Sequence, residues 1–410
     1  MTGTPADNRF VTRAGRPDDW PTVSRLLSDA FLASSGAFDG FCEVFEPARS
    51  VVVTAGPELV AHAGAYTRRL AVPGAILPAA HVALVAVAPA FRRRGLLSQL
   101  MHRQLADLRE TSQESVSVLW ASEGRIYHRY GYGLAAQRLN LHADLREIRP
   151  PDAPTRSYQM RELDPRHALP AMQAIYEEEW SRRVGWSSRT EAWWHRIIAD
   201  QEDDRATPLR VLLAEGTGGA EGYALWRARG GWDESGPVGT VEVCEFLAQR
   251  PDALVSLWRS LLSVDLTRNL RYSLAALDDP VLHLVDEPRR LGGGFADALW
   301  IRLINLPAAL SSRRYLCPVD VVLDVRDPLL PANSGRWRLA ADQAGACCAR
   351  TRAGADLAVD IRDMGAAYLG GTPLTALAAA GRVTERRSGA LAAASATFGW
   401  HRQPSAAEMF

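Results

Sequence analysis

One stretch constrains this 410-residue chain more than any other: Val-Ala-Val-Ala-Pro-Ala-Phe-Arg-Arg-Arg-Gly-Leu-Leu-Ser at positions 85–98. The apolar run Val82–Ala88 predicts a strand. Pro89 turns the chain, and three arginines and Gly95 then open a long amphipathic helix that runs to Glu110. Ser115–Ala121 reads as the next strand, so the whole is a right-handed βαβ unit with a parallel strand pair. The first N–H groups of a helix have no intrahelical partner, and the helix dipole adds positive potential there. Gly95 lets a ligand approach the backbone closely. Together these predict a pyrophosphate cradle with arginine charge beside it. It is not a Walker loop, having no Gly-Lys-Ser/Thr, and with a single glycine it is not a dinucleotide fingerprint. Taken alone, Arg-Arg-Arg-Gly reads as a solvated run before an ordinary helix. The strands on either side, and Ile-Tyr-His-Arg-Tyr-Gly-Tyr-Gly at 126–133, favour the cradle.

Composition narrows the chemistry. There is no lysine, so all 47 basic residues are arginine, which excludes a Schiff-base lysine, a pyridoxal-phosphate anchor and a P-loop lysine. The 47 acidic residues bring the formal charge to +0, a poor match to bulk nucleic-acid binding. Five cysteines without a C-x-x-C pair, and nine histidines without H-x-x-x-H, predict neither a disulfide framework nor a metal site. The N-terminal MTGTPADNRF has no apolar core of a signal peptide. The longest apolar runs fall well short of the roughly 18 residues a spanning helix needs. A soluble cytoplasmic protein with no membrane partner is expected.

Three segments are expected in an α/β (α+β) chain. The first, 1–150, carries the Asp18–Phe31 helix, a hairpin of Ser50–Gly56 with Leu59–Val72, and the cradle unit. Pro150–Pro154 reads as a linker. The second, 151–304, repeats the order hairpin, strand, helix, but its Val-Glu-Val-Cys-Glu-Phe-Leu-Ala-Gln-Arg-Pro lacks both the arginine run and the glycine. The third, 305–410, alternates strands with helices broken at Gly370-Gly371. Glu177–Glu179 reads as a solvated helix face, and Trp193-Trp194 as core or as aromatics facing a cation.

The order strand, Arg-x-x-Gly-x-x loop, helix, strand, Tyr-x-x-Tyr-Gly-Tyr resembles the acetyl-CoA motif of GCN5-related N-acetyltransferases (GNAT). With Ala-Ser-Glu-Gly-x-Ile-Tyr at 121–127, the chain length and the aromatic C-terminus, the whole chain is similar to the Eis (enhanced intracellular survival) acetyltransferases. The resemblance implies two GNAT-like domains with mixed sheets, the second without acetyl-CoA, and a C-terminal sterol-carrier-like α/β domain that returns the chain end to the active site. It implies that the edge of Val85, Ala86 and Val87 pairs with the pantetheine amides. Arg93, Arg94, Gly95, Leu96, Leu97 and Ser98 would hold the pyrophosphate, with Ser122 and Glu123 beside the cosubstrate. Tyr127 would be the general acid and the carboxylate of Phe410 the general base. It further implies primary amines of aminoglycoside-like, lysine-like or polyamine-like acceptors, a negatively lined pocket, and a homohexamer. The rival readings are a non-catalytic acyl-CoA-binding regulator and a lipid carrier built on the third segment.

Overall fold

The computed structural model describes residues 10–111, 113–200, 206–342 and 344–410. The hairpin and βαβ patterns of the first segment build a seven-stranded mixed sheet. Its order is Phe10–Ala14, Val51–Ala55, Glu58–Val72, Ala75–Val87, Val116–Leu119, Trp300–Leu303 and Gly133–Leu134. A second seven-stranded sheet repeats this order with Gln159–Leu163, Arg210–Gly216, Gly219–Arg229, Gly239–Ala248, Thr267–Ala275, Gln137–Asp144 and Gly294–Asp297. The repeat legible in the sequence is thus a repeat of topology.

The sixth strand of each sheet comes from the other segment. Gln137–Asp144 pairs with Thr267–Ala275 in the second sheet, and Trp300–Leu303 pairs with Val116–Leu119 in the first. Segments 1–150 and 151–304 are therefore not closed units but partners in a reciprocal strand exchange. Arg302 on the exchanged strand is wholly buried and pairs with Asp327 of the third segment at 2.8 Å. Removing one partner of such a buried pair costs about 3–5 kcal/mol.

The strand expected to begin at Val82 begins at Ala75 and runs through Pro78. Proline lacks a ladder donor, which ordinarily confines it to a strand's edge or start. Here Pro78 is exposed and precedes Ala79, the first residue to pair with the parallel neighbour Val116, so no ladder bond is lost on that side.

The third segment is a five-stranded sheet in the order Ala346–Arg350, Gly335–Ala341, Val319–Arg326, Leu357–Asp360, Val383–Glu385, with helices Ile361–Ala367, Leu374–Ala379 and Ala390–Phe398. Its core is continuous with the first sheet: Val116 and Ile301 pack in one cluster with Val321, Leu357 and Tyr368. Beyond Phe398 the chain runs back across the molecule. Gln403 N–H donates to Asp278 (3.0 Å), Ser405 N–H donates to the Val184 carbonyl (3.0 Å), and Trp186 Nε1 donates to Ser405 Oγ (3.1 Å). Gly185, at φ +94°, is required there: a Cβ would lie 2.1 Å from the Ser405 carbonyl oxygen. Among the described residues no helix is long and apolar enough to cross a membrane, and no group of three or more potential metal ligands gathers.

Candidate active site

The site begins where two strands part. Ala75–Val87 and Val116–Leu119 pair in parallel only over Ala79–Val82. The first strand then continues to Val87, paired on its other edge alone, with His62 opposite Ala86 and Ala61 opposite Val87. Its free edge over 83–87 offers backbone donors and acceptors to an extended ligand, as an added strand would. A bulge accompanies the parting. Leu84 stands at φ +56°, the register slips between His62 and Gly64, and His62 Nδ1 donates to the Leu84 carbonyl at 2.7 Å. Such bulges re-aim a strand beside active sites.

Past Val87, a single turn at Pro89–Phe91 leads into the arginine loop, and the helix begins at Leu96. Arg93 (φ +62°) and Gly95 (φ +81°) are both left-handed, which exposes the first-turn amides of a helix ending at Thr111. An added Cβ at Gly95 would meet nothing within 4 Å, so the approach to these amides is open. Arg92 is tied to the Ala30 carbonyl (3.0 Å) and Arg94 to the Ala90 carbonyl (3.2 Å), while Arg93 is exposed. The Ser98 hydroxyl is engaged by Tyr130 Oη at 3.0 Å.

Opposite, Ser122 and Glu123 are exposed in the turn before the one-turn helix Gly124–Tyr127. Tyr127 closes that turn rather than starting it, and is buried. Val85, Leu97, Ala121 and Tyr127 pack in one apolar cluster, so the structure gathers three predicted parts around the strand opening. Burial raises the Tyr127 phenol above its ordinary value, with Tyr132 and Tyr130 adding to the effect. It therefore stays protonated across the working pH range. The neighbouring Tyr132 is committed to Ser117 Oγ at 2.8 Å, and Tyr130 to Ser98 at 3.0 Å.

Phe410 comes to the same opening from the other side of the sheet. Its ring lies 4.7 Å from that of His81, and it packs with Tyr66, Ala83, Leu84 and Trp193. Ala80 and Val82 face the Tyr127 cluster, while His81 between them carries Phe410. Alternation along a strand thus sets the two groups on opposite faces where it parts from its neighbour. His81 is fully buried; Nδ1 lies 3.0 Å from the Ala79 carbonyl and Nε2 2.7 Å from Ser187 Oγ. A carbonyl only accepts, so Nδ1 carries the proton and Ser187 donates to Nε2. Burial holds the ring neutral, lowering its pKa to about 3.

Sequence reasoning missed the charges that bind the tail. Glu408 Oε1 lies 2.5 Å from Arg68 Nη2, and its Oε2 accepts from Arg189 Nε at 2.9 Å. Arg189 also pairs with Glu245 at 2.5 Å, and Glu245 accepts from Tyr223 Oη. Burial alone would raise the Glu408 pKa; Arg189 and Arg68 outweigh it and hold the group ionised, at about 2. The Arg68 guanidinium stacks on Trp193 at 4.3 Å, so that tryptophan is both core and cation-facing. The signal available was the pair Arg68-Arg69 in a strand whose other residues are mostly apolar.

A splayed parallel pair, an open amide cradle and a buried tyrosine define an acyltransferase of the GNAT fold. Residues 11–135 and 185–303 each match the acetyltransferase (GNAT) domain family, and residues 306–407 match the sterol carrier protein domain. The chain is 40% identical over 402 residues to an uncharacterized N-acetyltransferase of Streptomyces avermitilis, covering 94% of this chain and 96% of that one. It is 33% identical over 400 residues to the N-acetyltransferase Eis of Mycobacterium bovis, covering 93% and 94%. The crystal structure of Eis1 from Mycobacterium abscessus superposes with a TM-score of 0.83 at 30% identity, covering 98% of this chain and 100% of that one. The chain belongs to the Eis-like N-acetyltransferases.

Proposed function

We propose that the enzyme moves the acetyl group of acetyl-CoA to a primary amine of a cationic acceptor, aminoglycoside-like, lysine-like or polyamine-like, by direct attack. The observation that carries this reading is the parting of the strands at Val82 and Leu119, with the cradle at one end and Tyr127 and Phe410 on opposite faces. The pantetheine amides would pair with the free edge of Val85, Ala86 and Val87. The pyrophosphate would rest on the amides of Arg93–Ser98, with Arg93 free to add charge. Ser122 and Glu123 would flank the thioester end.

An alkyl ammonium has a pKa of about 10 and must lose a proton before it attacks. The Phe410 carboxylate would take that proton, directly or through one water. A free α-carboxyl is a weak base, with pKa about 3.5, and apolar surroundings would make it a stronger one. The amine nitrogen bonds to the thioester carbonyl carbon and the C–S bond breaks. Tyr127 would give its proton to the departing thiolate.

The family resemblance implies an acidic pocket, but the elements around Phe410 also bring arginines. Arg68 stacks on Trp193, and Arg196 lies 3.8 Å over the Phe41 ring. Elsewhere, Asp29 and Asp39 line one surface groove together with Arg25, and Glu43 lies 3.6 Å from His195. Thiol release from acetyl-CoA, measured with aminoglycosides, polyamines and lysine peptides, tests the reading. A homohexamer in the cytoplasm belongs to the same reading, and sedimentation of the purified protein tests the assembly.

A further inference from the structure

We infer that Glu408 is a positioning residue that seats the chain end at the strand opening, and that the second GNAT-like unit serves catalysis by holding it. The inference rests on the reading of Phe410 as the base.

Two guanidinia meet at this one carboxylate, Arg68 and Arg189, and Arg189 is backed in turn by Glu245 and Tyr223. Arg68 lies on Glu58–Val72 of the first sheet, Glu245 and Tyr223 on adjacent strands of the second, and Arg189 between them. Arg189 is itself fixed, its guanidinium 3.9 Å from the Tyr176 ring and 4.5 Å from that of Trp194. The Glu408 side chain is only 11% exposed. Met409 is 53% exposed, so side chains 408, 409 and 410 alternate in, out and in along the tail. Two residues of chain span at most about 7 Å, so fixing Glu408 confines Phe410 to a short arc around His81. The second unit has no arginine–glycine loop before its helix Pro251–Leu261, and its strand Gly239–Ala248 contributes Glu245 to this clamp instead.

The test compares the full-length enzyme with Glu408→Gln and with a chain extended beyond Phe410. Two readouts are taken: kcat and KM for acetyl-CoA from thiol release, and the rate at which carboxypeptidase removes Phe410, followed by intact mass. Glu408→Gln is expected to lower kcat at least tenfold, leave KM for acetyl-CoA within twofold, and speed release of Phe410 at least tenfold. Wild-type kcat and a protected terminus in Glu408→Gln, with the extended chain inactive, overturn the clamp and leave the base standing. Full activity in the extended chain overturns the base, and the clamp with it. If Glu408→Gln does not fold, Glu408→Asp decides: at least a fivefold loss of kcat is expected, and a kcat within twofold of wild type overturns the inference.

Discussion

The ring of Phe410 packs on that of His81 with centroids 4.7 Å apart, so the last residue of the chain meets the strand on which the acetyl group would sit. His81 is the third of the four residues, Ala79–Val82, through which this strand pairs with its parallel neighbour. The strand opening, the terminal residue and the buried tyrosine are consequences of one sheet geometry.

Tyr127→Phe keeps the ring that packs among Val85, Leu97 and Ala121 and removes only the hydroxyl. General acids contribute about 10²–10⁴-fold to rate. A kcat lowered about 100-fold, with acetyl-CoA affinity unchanged by calorimetry, is expected; an unchanged kcat would remove Tyr127 from the mechanism.

Gly95→Val tests the cradle. At φ +81° a β-branched residue is strained by about 1–2 kcal/mol, and its side chain would stand over the first-turn amides. Gly381, at φ +73° with equally open surroundings in the third domain, is the control for strain. KM for acetyl-CoA should rise at least tenfold in Gly95→Val and stay unchanged in Gly381→Val. An equal effect in both would assign the loss to backbone strain.

Much of this was legible in the residues before the fold was known. The strand–loop–helix–strand order around Gly95 and the lack of an arginine–glycine loop in the second segment were written in contiguous motifs of the kind that local physics dictates, while Tyr127 was singled out by the family resemblance alone. The exchange of Gln137–Asp144 for Trp300–Leu303 was not legible, because a strand's own pattern does not say which sheet it joins. Nor was the Arg68–Glu408–Arg189 cluster, whose members are far apart in sequence and meet only through tertiary packing. The start of the cradle strand at Ala75 was hidden for a related reason: whether a proline such as Pro78 breaks a strand depends on which edge has a neighbour, and that is a property of the sheet.

Acetyl-CoA should bind with a stoichiometry of one per chain. The second sheet also parts, pairing Gly239–Ala248 with Thr267–Ala275 only over Gly239–Val243. The cavity beyond that point is lined by Glu245, Leu247 and Tyr272 together with Ser405, Ala406 and Ala407 of the tail, so the tail lies where a pantetheine arm would run. Titration calorimetry giving two sites per chain would contradict this.

The pH dependence of stability follows from two neutral buried histidines. Burial lowers His62 to about 4 and His81 to about 3, against about 6.5 in an unfolded chain. Between pH 6.5 and about 4 the unfolded state binds more protons, so stability is full above 6.5 and falls as pH drops through that window. Thermal melts from pH 7.5 to 4.5 should show this fall, and it should be shallower in His81→Asn. An identical slope in that variant would contradict the burial argument.

The most direct measurement is thiol release from acetyl-CoA in the presence of aminoglycosides, polyamines and lysine peptides, with Tyr127→Phe and a chain extended past Phe410 alongside. Turnover with several of these amines, lost in both variants, is the predicted result. Tight acetyl-CoA binding without turnover on any amine would contradict the catalytic account and favour a non-catalytic acyl-CoA-binding protein.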